Sequence, residues 1–242
     1  MRAHFHRRKL HKCLVCGRFT QKYSWQEVQA FLSIIGAPLN LRPRYNVAPT
    51  TDIDVVRLNG EGQRELLRMR WGLVPGWWKK TLKEAPTSFN ARSEEVATKP
   101  MFRDAWRRGR RLIVPASGFF EWTGPKSERL PHYFTAADGS PLIAFAGLYD
   151  RWRNPETGED MLSATILTSG VSQWMNAYHN RMPVILRPED FERWLDGSMT
   201  QEELGPAAEE ALREWRVSAR VNKSGEGEDD PSIIEAVEVN LL

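Results

Sequence analysis

The stretch Ile53-Asp54-Val55-Val56-Arg57-Leu58 is followed by Asn59-Gly60 and then by Leu66-Leu67-Arg68-Met69-Arg70-Trp71. Apolar and β-branched residues fill both runs, and an Asn-Gly dipeptide reverses a chain easily because both residues tolerate positive φ. The pair reads as an antiparallel hairpin. Outward from it the strand signal repeats at 111–115, 118–122, 131–135, 141–149, 161–168 and 183–186. Helices are fewer. Ser24-Trp25-Gln26-Glu27 is a capping box, and Val28, Phe31, Leu32 and Ile35 follow at helical spacing until Gly36 and Pro38. Three more helices are expected at 101–108, at 188–196 between Pro188 and Gly197, and at 201–215. Strands dominate without regular strand–helix alternation. The expected fold is α+β, one domain with a curved, barrel-like, mainly antiparallel sheet core flanked by helices.

A chain of 242 residues, 41% hydrophobic and rich in aromatics, has ample material for such a core. No apolar run approaches the ~20 residues that a membrane helix needs. Its two cysteines, Cys13 and Cys16, both lie near the start and cannot staple the fold, which suits a reduced, cytoplasmic setting. The formal charge of +3 is uneven. Arg2, Arg7, Arg8, Lys9 and Lys12 sit in the first fifteen residues, leaving 29 cations (34 − 5) against 31 anions from residue 16 onward, or −2. A globally basic nucleic-acid binder is excluded, so any such site must be local. Arg103-Asp104-Ala105-Trp106-Arg107-Arg108-Gly109-Arg110-Arg111 is one basic patch, either a solvated helix end or a phosphate site.

The polar candidates each admit two readings. Glu121 ends the run Val114-Pro115-Ala116-Ser117-Gly118-Phe119-Phe120-Glu121-Trp122. It is either a surface carboxylate at a sheet edge or one wedged among aromatics, desolvated and suited to proton transfer. His179, in Tyr178-His179-Asn180-Arg181-Met182-Pro183, stands at a helix-to-strand handover, solvated or catalytic. Asn90 and Arg92, read alone, are a turn residue and a surface cation. Trp77-Trp78 cannot both face one core from a Pro/Gly-rich loop. Either the loop packs on two sides, or one indole is free to stack on a nucleobase, which contributes ~1–3 kcal/mol per base.

Val15-Cys16-Gly17-Arg18-Phe19 is read through its terminus. An N-terminal cysteine carries an α-amine and a thiol on adjacent carbons, so an aldehyde can condense with the amine and the thiol can close a thiazolidine ring. Both groups have reference pKa values within about two units of neutral. Within a chain, the amide nitrogen forbids this. Residues 1–15 lack an apolar run and helical periodicity, so they are read as an extension outside the domain at 16–242. Either Val15 is an alternative start or the extension is a leader that is removed. Both readings expose Cys16.

These segments, with Arg44-Tyr45-Asn46-Val47-Ala48-Pro49-Thr50, Trp71-Gly72-Leu73-Val74-Pro75-Gly76-Trp77, Asn90-Ala91-Arg92-Ser93-Glu94 and Val217-Ser218-Ala219-Arg220-Val221-Asn222, occur in an order that resembles the SOS-response-associated peptidase family of abasic-site processing proteins. The resemblance spans residues 15 to about 233. It implies a protein that binds single-stranded DNA containing abasic sites and crosslinks to the ring-opened sugar aldehyde through a thiazolidine, with peptidase and lyase activities attached to the family. It assigns Cys16 as nucleophile, Asn90 as orienter of the cysteine and sugar, Glu121 as acid–base carboxylate and His179 as helper in imine chemistry and reversal. Arg18, Asn46, Pro49, Arg92 and Arg181 fall with the DNA contacts, and Trp77 or Trp78 with an aromatic wedge. It further implies a monomer with no cofactor and no metal, cytoplasmic and associated with the nucleoid when on DNA. Two departures stand out: Val15 replaces the family's Met, and Asn180 occupies a commonly acidic position.

Two rival readings remain. Cys16, His179 and Asn90 would also suit a thiol peptidase. Cys13-Leu14-Val15-Cys16 with His4, His6 and His11 would be a weak zinc site, since one Cys-x-x-Cys lacks a second ligand pair.

Overall fold

A computed structural model describes residues 17–86, 88–125 and 127–238. Cys16, the extension 1–15 and the Cys13/His4/His6/His11 zinc reading lie outside the described residues.

Thirteen strands occur among the described residues: β1 (Phe19–Gln21), β2 (Arg44–Val47), β3 (Asp52–Leu58), β4 (Arg64–Trp71), β5 (Asn90–Arg92), β6 (Arg111–Ala116), β7 (Gly118–Thr123), β8 (Leu130–Ala136), β9 (Ile143–Arg153), β10 (Asp160–Ser169), β11 (Met182–Pro183), β12 (Ile185–Leu186) and β13 (Leu212–Arg216). The hairpin holds, with Asp52 opposite Arg70 and Leu58 opposite Arg64. Its loop is longer than a two-residue turn. Asn59 Oδ1 accepts from the N–H groups of Glu61 and Gln63, and Gly62, not Gly60, takes the positive φ. Pairing proceeds from β4 to β3, β6, β9 and β10, all antiparallel, and β10 returns to β4 in parallel at Ser163↔Arg70. The five strands close on themselves, which removes the free edges that an open sheet exposes. A second, antiparallel sheet in the order β13-β8-β7-β1-β2 lies against this ring.

Side-chain alternation distributes the core. Val114, Phe145 and Ile166 of the ring pack with Phe19, Phe119 and Phe134 of the second sheet. Phe119 and Phe134 stack at 5.0 Å, while Phe19 meets the Trp71 ring edge at 4.9 Å. Each such fully buried side chain contributes ~1.5–3 kcal/mol relative to exposure. Neighbouring positions Ile113, Ala146 and Leu167 belong instead to a cluster with the helices α1 (Trp25–Leu32), α2 (Arg103–Arg107) and α3 (Phe191–Leu195). The expected α+β class with a barrel-like core and flanking helices is what the structure shows.

The helices are shorter than expected, and the one expected at 101–108 is confined to α2, Arg103–Arg107. Ser24 and Glu27 form the reciprocal capping box of α1, but left-handed Ser33 ends it a turn before Gly36. The helix expected at 188–196 is a 3-10 turn, Pro188–Asp190, continued by α3 up to positive-φ Gly197. The expectation of a helix at 201–215 fails. Gly205-Pro206 interrupts the first half, and Leu212–Arg216 extends to pair with β8, seating Leu212 opposite Ala136 and Trp215 opposite Tyr133. Long-range pairing claims Leu212–Arg216, and only a 3-10 turn, Glu209–Ala211, precedes it. No helix among the described residues is long and apolar enough to cross a membrane.

Candidate functional site

Strand β1 brings the start of the described chain to the strand that carries Glu121. Phe19 pairs with Phe119 and Thr20 with Gly118, and the Phe120 N–H donates to the Arg18 carbonyl at 3.0 Å. Gly118 permits the close approach of β8 on the other side, because a Cβ there would collide with Cζ and Oη of Tyr133 and lie 2.5 Å from the Phe134 carbonyl oxygen. Glu121 is 1% exposed. Of its two readings, the solvent-facing carboxylate is therefore removed. Its cross-strand partner on β8 is His132, whose Nδ1 lies 2.5 Å from Glu214 and whose Nε2 lies 2.7 Å from Thr123 Oγ1.

Gly17 and Arg18 open onto a cleft of about 850 Å³ whose wall includes Asn46, Pro49, Trp122 and Arg129. Loops far apart in sequence converge here. The Arg18 guanidinium donates to Asn46 Oδ1 at 2.8 Å, to the Val221 carbonyl at 2.9 Å and to Ser224 at 2.5 Å. Buried Asn46 turns its amide to the carbonyls of Lys223 and Glu226. The 219–230 segment is thus a packed wall of the cleft, pinned further by Arg44–Glu228 and Arg220–Asp230.

Asn90 and Arg92 sit on β5, which pairs in parallel with β10 at Ile166↔Asn90 and Thr168↔Arg92, and the preceding Phe89 lines the cleft. Arg92 has a 62% exposed side chain with a 3.5 Å ion pair to Glu95. Arg181 is occupied differently. It forms a fork with Glu94, two bonds of 2.7 Å, and also donates to the Thr168 carbonyl. That pair ties the His179–Arg181 segment to the end of β5. His179 is buried after a 3-10 turn, Met175–Ala177, and its Nδ1 accepts from the Arg181 N–H at 3.0 Å. Burial holds its imidazole below the usual histidine range. The Arg181 peptide opposes this, and the charges of Arg129 and Arg181 reinforce it.

Trp77 and Trp78 share an edge-on contact at 6.1 Å but not an environment. Trp77 is 42% exposed and borders a separate pocket of about 270 Å³ with Arg108, Arg110 and Arg151. Trp78 is half-buried and bonds Thr81. The Arg103–Arg111 patch divides likewise. Arg111 is buried against Trp106 and Trp194, Arg110 pairs with Asp150, and Arg107 and Arg108 face solvent. Sequence reading missed Arg129, in a short polar loop with no pattern around it, and the His132–Glu214–Tyr178 network, which only the β8–β13 pairing assembles. Among the described residues, no group of three or more His, Cys, Asp or Glu could hold a metal ion.

The profile of the family described as SOS response associated peptidase (SRAP) matches residues 15–224. The chain is 34% identical over 231 residues to the abasic site processing protein YoqW of Bacillus subtilis, covering 92% of this chain and all of that one. It is 33% identical over 201 residues to the abasic site processing protein YedK of Escherichia coli, covering 81% of this chain and 84% of that protein. In fold it superposes on a crystal structure from Bacteroides thetaiotaomicron with a TM-score of 0.81 at 24% identity, covering 92% of this chain and all of that one. With a cleft built from the segments that carry the family pattern and a profile match across most of its length, this chain belongs to the SOS response associated peptidase family.

Proposed function

We propose that the protein processes abasic sites in single-stranded DNA by covalent capture, through Cys16 exposed as the mature N-terminal residue. The observation that carries this reading is the convergence, immediately after Cys16, of Gly17, Arg18, Asn46 and Pro49 on one open cleft beside the strand of buried Glu121. An unpaired lesion reaches such a cleft without an unpairing cost. The α-amine attacks the sugar aldehyde, and the carbinolamine loses water to give an imine. The thiol sulfur then bonds to the imine carbon while its proton passes to nitrogen, closing the thiazolidine. Glu121 serves as the proton carrier for ring opening and water loss. His179 donates from Nε2 and assists imine turnover and reversal. Asn90 orients the amine and sugar, exposed Arg92 meets a backbone phosphate, and Trp77 supplies the stacking face. Arg181 acts through its pair with Glu94 to hold His179 in place. Strand cleavage from the imine is a side reaction, and exposure of Cys16, by a start at Val15 or by removal of residues 1–15, precedes all of it.

The peptidase reading requires an orienter on the histidine. Here Nδ1 of His179 is engaged by Arg181 and Nε2 has no partner among the described residues, so Asn90 does not fill that role. The adduct reading takes precedence on this ground. The test combines intact mass with trapping. Active protein should begin at Cys16 and gain the mass of an abasic oligonucleotide less water. Cys16→Ser should leave only a borohydride-trappable imine, acetylating the α-amine should remove both products, and Glu121→Gln should slow capture without weakening binding. A stable adduct formed by protein that retains residues 1–15 would sink the proposal.

A further inference from the structure

His179 occupies a seat that suits two charge states. Its Nδ1 accepts from the Arg181 N–H at 3.0 Å, and the Arg181 carbonyl oxygen lies 3.2 Å from the same nitrogen. A neutral ring takes the first bond and keeps its proton on Nε2. A protonated ring donates from Nδ1 to the carbonyl instead. The second state forfeits the bond from the Arg181 N–H, and Nε2 is buried with no hydrogen-bond partner among the described residues. Burial weighs most against its charged form, and the field of nearby charges adds to that.

That field is one-sided. After burial, the groups that disfavour the imidazolium are Arg129 and Arg181. Arg181 is matched by Glu94 through two 2.7 Å bonds. The preceding residue, Tyr178, is bonded to Glu214, whose other oxygen is held by His132, so that carboxylate is already committed. Glu121 is buried on β7, and Glu128 precedes Arg129 in the loop. Arg129 is different. It is exposed, lines the same cleft as Arg18, Pro49 and Trp122, and forms no ion pair among the described residues. Of the two cations that weigh against the imidazolium, it is the one that nothing among the described residues neutralises.

We propose that Arg129 is a phosphate subsite of the cleft, and that a DNA phosphate seated on it allows His179 to take up a proton. The inference rests on the reading of the cleft as a single-stranded DNA site. The phosphate cancels the charge of Arg129 and so relieves the imidazole of its one unmatched cation. The proton comes from solvent, one N–H bond forms at Nδ1, and the Arg181 carbonyl receives it. Free protein then holds a neutral histidine, and DNA-bound protein holds an acid beside the reacting sugar. Capture and reversal would be favoured only when a strand occupies the cleft.

The test uses full-length protein with 15N-labelled histidine and a lesion-free oligothymidylate, with His179→Gln to identify the resonance. Binding is followed in parallel by fluorescence anisotropy. The His179 titration should move to higher pH when DNA is bound. Arg129→Gln should still fold, titrate higher than wild type without DNA and lose the DNA-induced movement, and Arg129→Lys should restore it. A wild-type His179 titration unmoved in protein that demonstrably binds DNA would overturn the coupling alone. Equal movement in wild type and Arg129→Gln would also overturn it, because another group would then carry the effect. Failure of wild-type protein to bind the oligothymidylate would overturn the cleft reading together with the coupling.

Discussion

The interface between the two sheets and the rim of the cleft are built on opposite principles. Between the sheets, Phe19, Phe119, Phe134 and Phe145 meet without polar partners, and their order follows from alternation along each strand. At the rim, Arg18, Asn46 and the 219–230 segment are held by directional bonds across nearly the whole sequence, as between Arg18 and Val221. The first region is specified by volume and apolarity, the second by matching donors to acceptors. Damage to the first should appear as lost stability, and damage to the second as lost binding.

The sharpest test of that division is Phe119→Ala. Phe119 is fully buried between Phe134 and Phe145, and truncation leaves a cavity that the two sheets cannot close. A loss of ~3–5 kcal/mol in unfolding free energy is expected, read from denaturant midpoints at unchanged slope. A loss below about 1 kcal/mol would show that the interface is plastic and that the contrast is false.

Asn46→Ala probes the rim with an intermediate effect. The change removes the acceptor of Arg18 and the donor to two carbonyls, those of Lys223 and Glu226. Buried groups left unpaired cost ~1–3 kcal/mol in total stability. Affinity for single-stranded DNA should fall further than stability alone explains, because the 219–230 wall loses its anchor. Unchanged affinity in the folded variant would separate this wall from the DNA site.

A smaller, pH-dependent effect is expected from His179. Its folded-state pKa lies below the ordinary value of 6.5, so the unfolded chain binds more protons between those two limits. The stability due to the neutral ring is complete above 6.5 and is lost as pH falls toward the folded value. His179→Gln should flatten the stability curve in that window, measured by unfolding at successive pH values. A curve of the same shape in both proteins would place the titration elsewhere.

The same division explains what could be read in advance. The hairpin, the strands from 111 to 168 and the capping box of α1 carry their patterns within ten residues or so, and all appear. Strands of three or four residues, β1, β2 and β5, are too short to show a period, and β13 is extended only because β8 offers it an edge. Glu121, Asn90 and His179 could be singled out as residue types in suggestive settings. Their relation to the cleft could not, because it depends on β1 lying beside β7 and β5 beside β10. Arg181 shows the limit most plainly. The resemblance sets it among the DNA contacts, and no sequence pattern announces its fork with Glu94.

Arg92 should give the smallest change in stability and the most specific change in function. Its side chain is 62% exposed, and its ion pair with Glu95, three residues on at 3.5 Å, is of the kind worth ~0–1 kcal/mol. Arg92→Ala should therefore leave the unfolding midpoint within error of wild type. On a lesion-free single strand, a lost phosphate contact releases fewer counterions, so the slope of log affinity against log salt should flatten by about 0.7. Affinity should converge on wild type at high salt, since the term removed is electrostatic. Arg181→Ala supplies the contrast. It removes the partner of Glu94 and the tether of the His179 segment, and should cost stability with little change in salt slope. If Arg92→Ala left the slope untouched while Arg181→Ala flattened it, the phosphate path would run over the Glu94 side of the segment. The exposed cation Arg108, in the pocket beside Trp77, would then be the next to test.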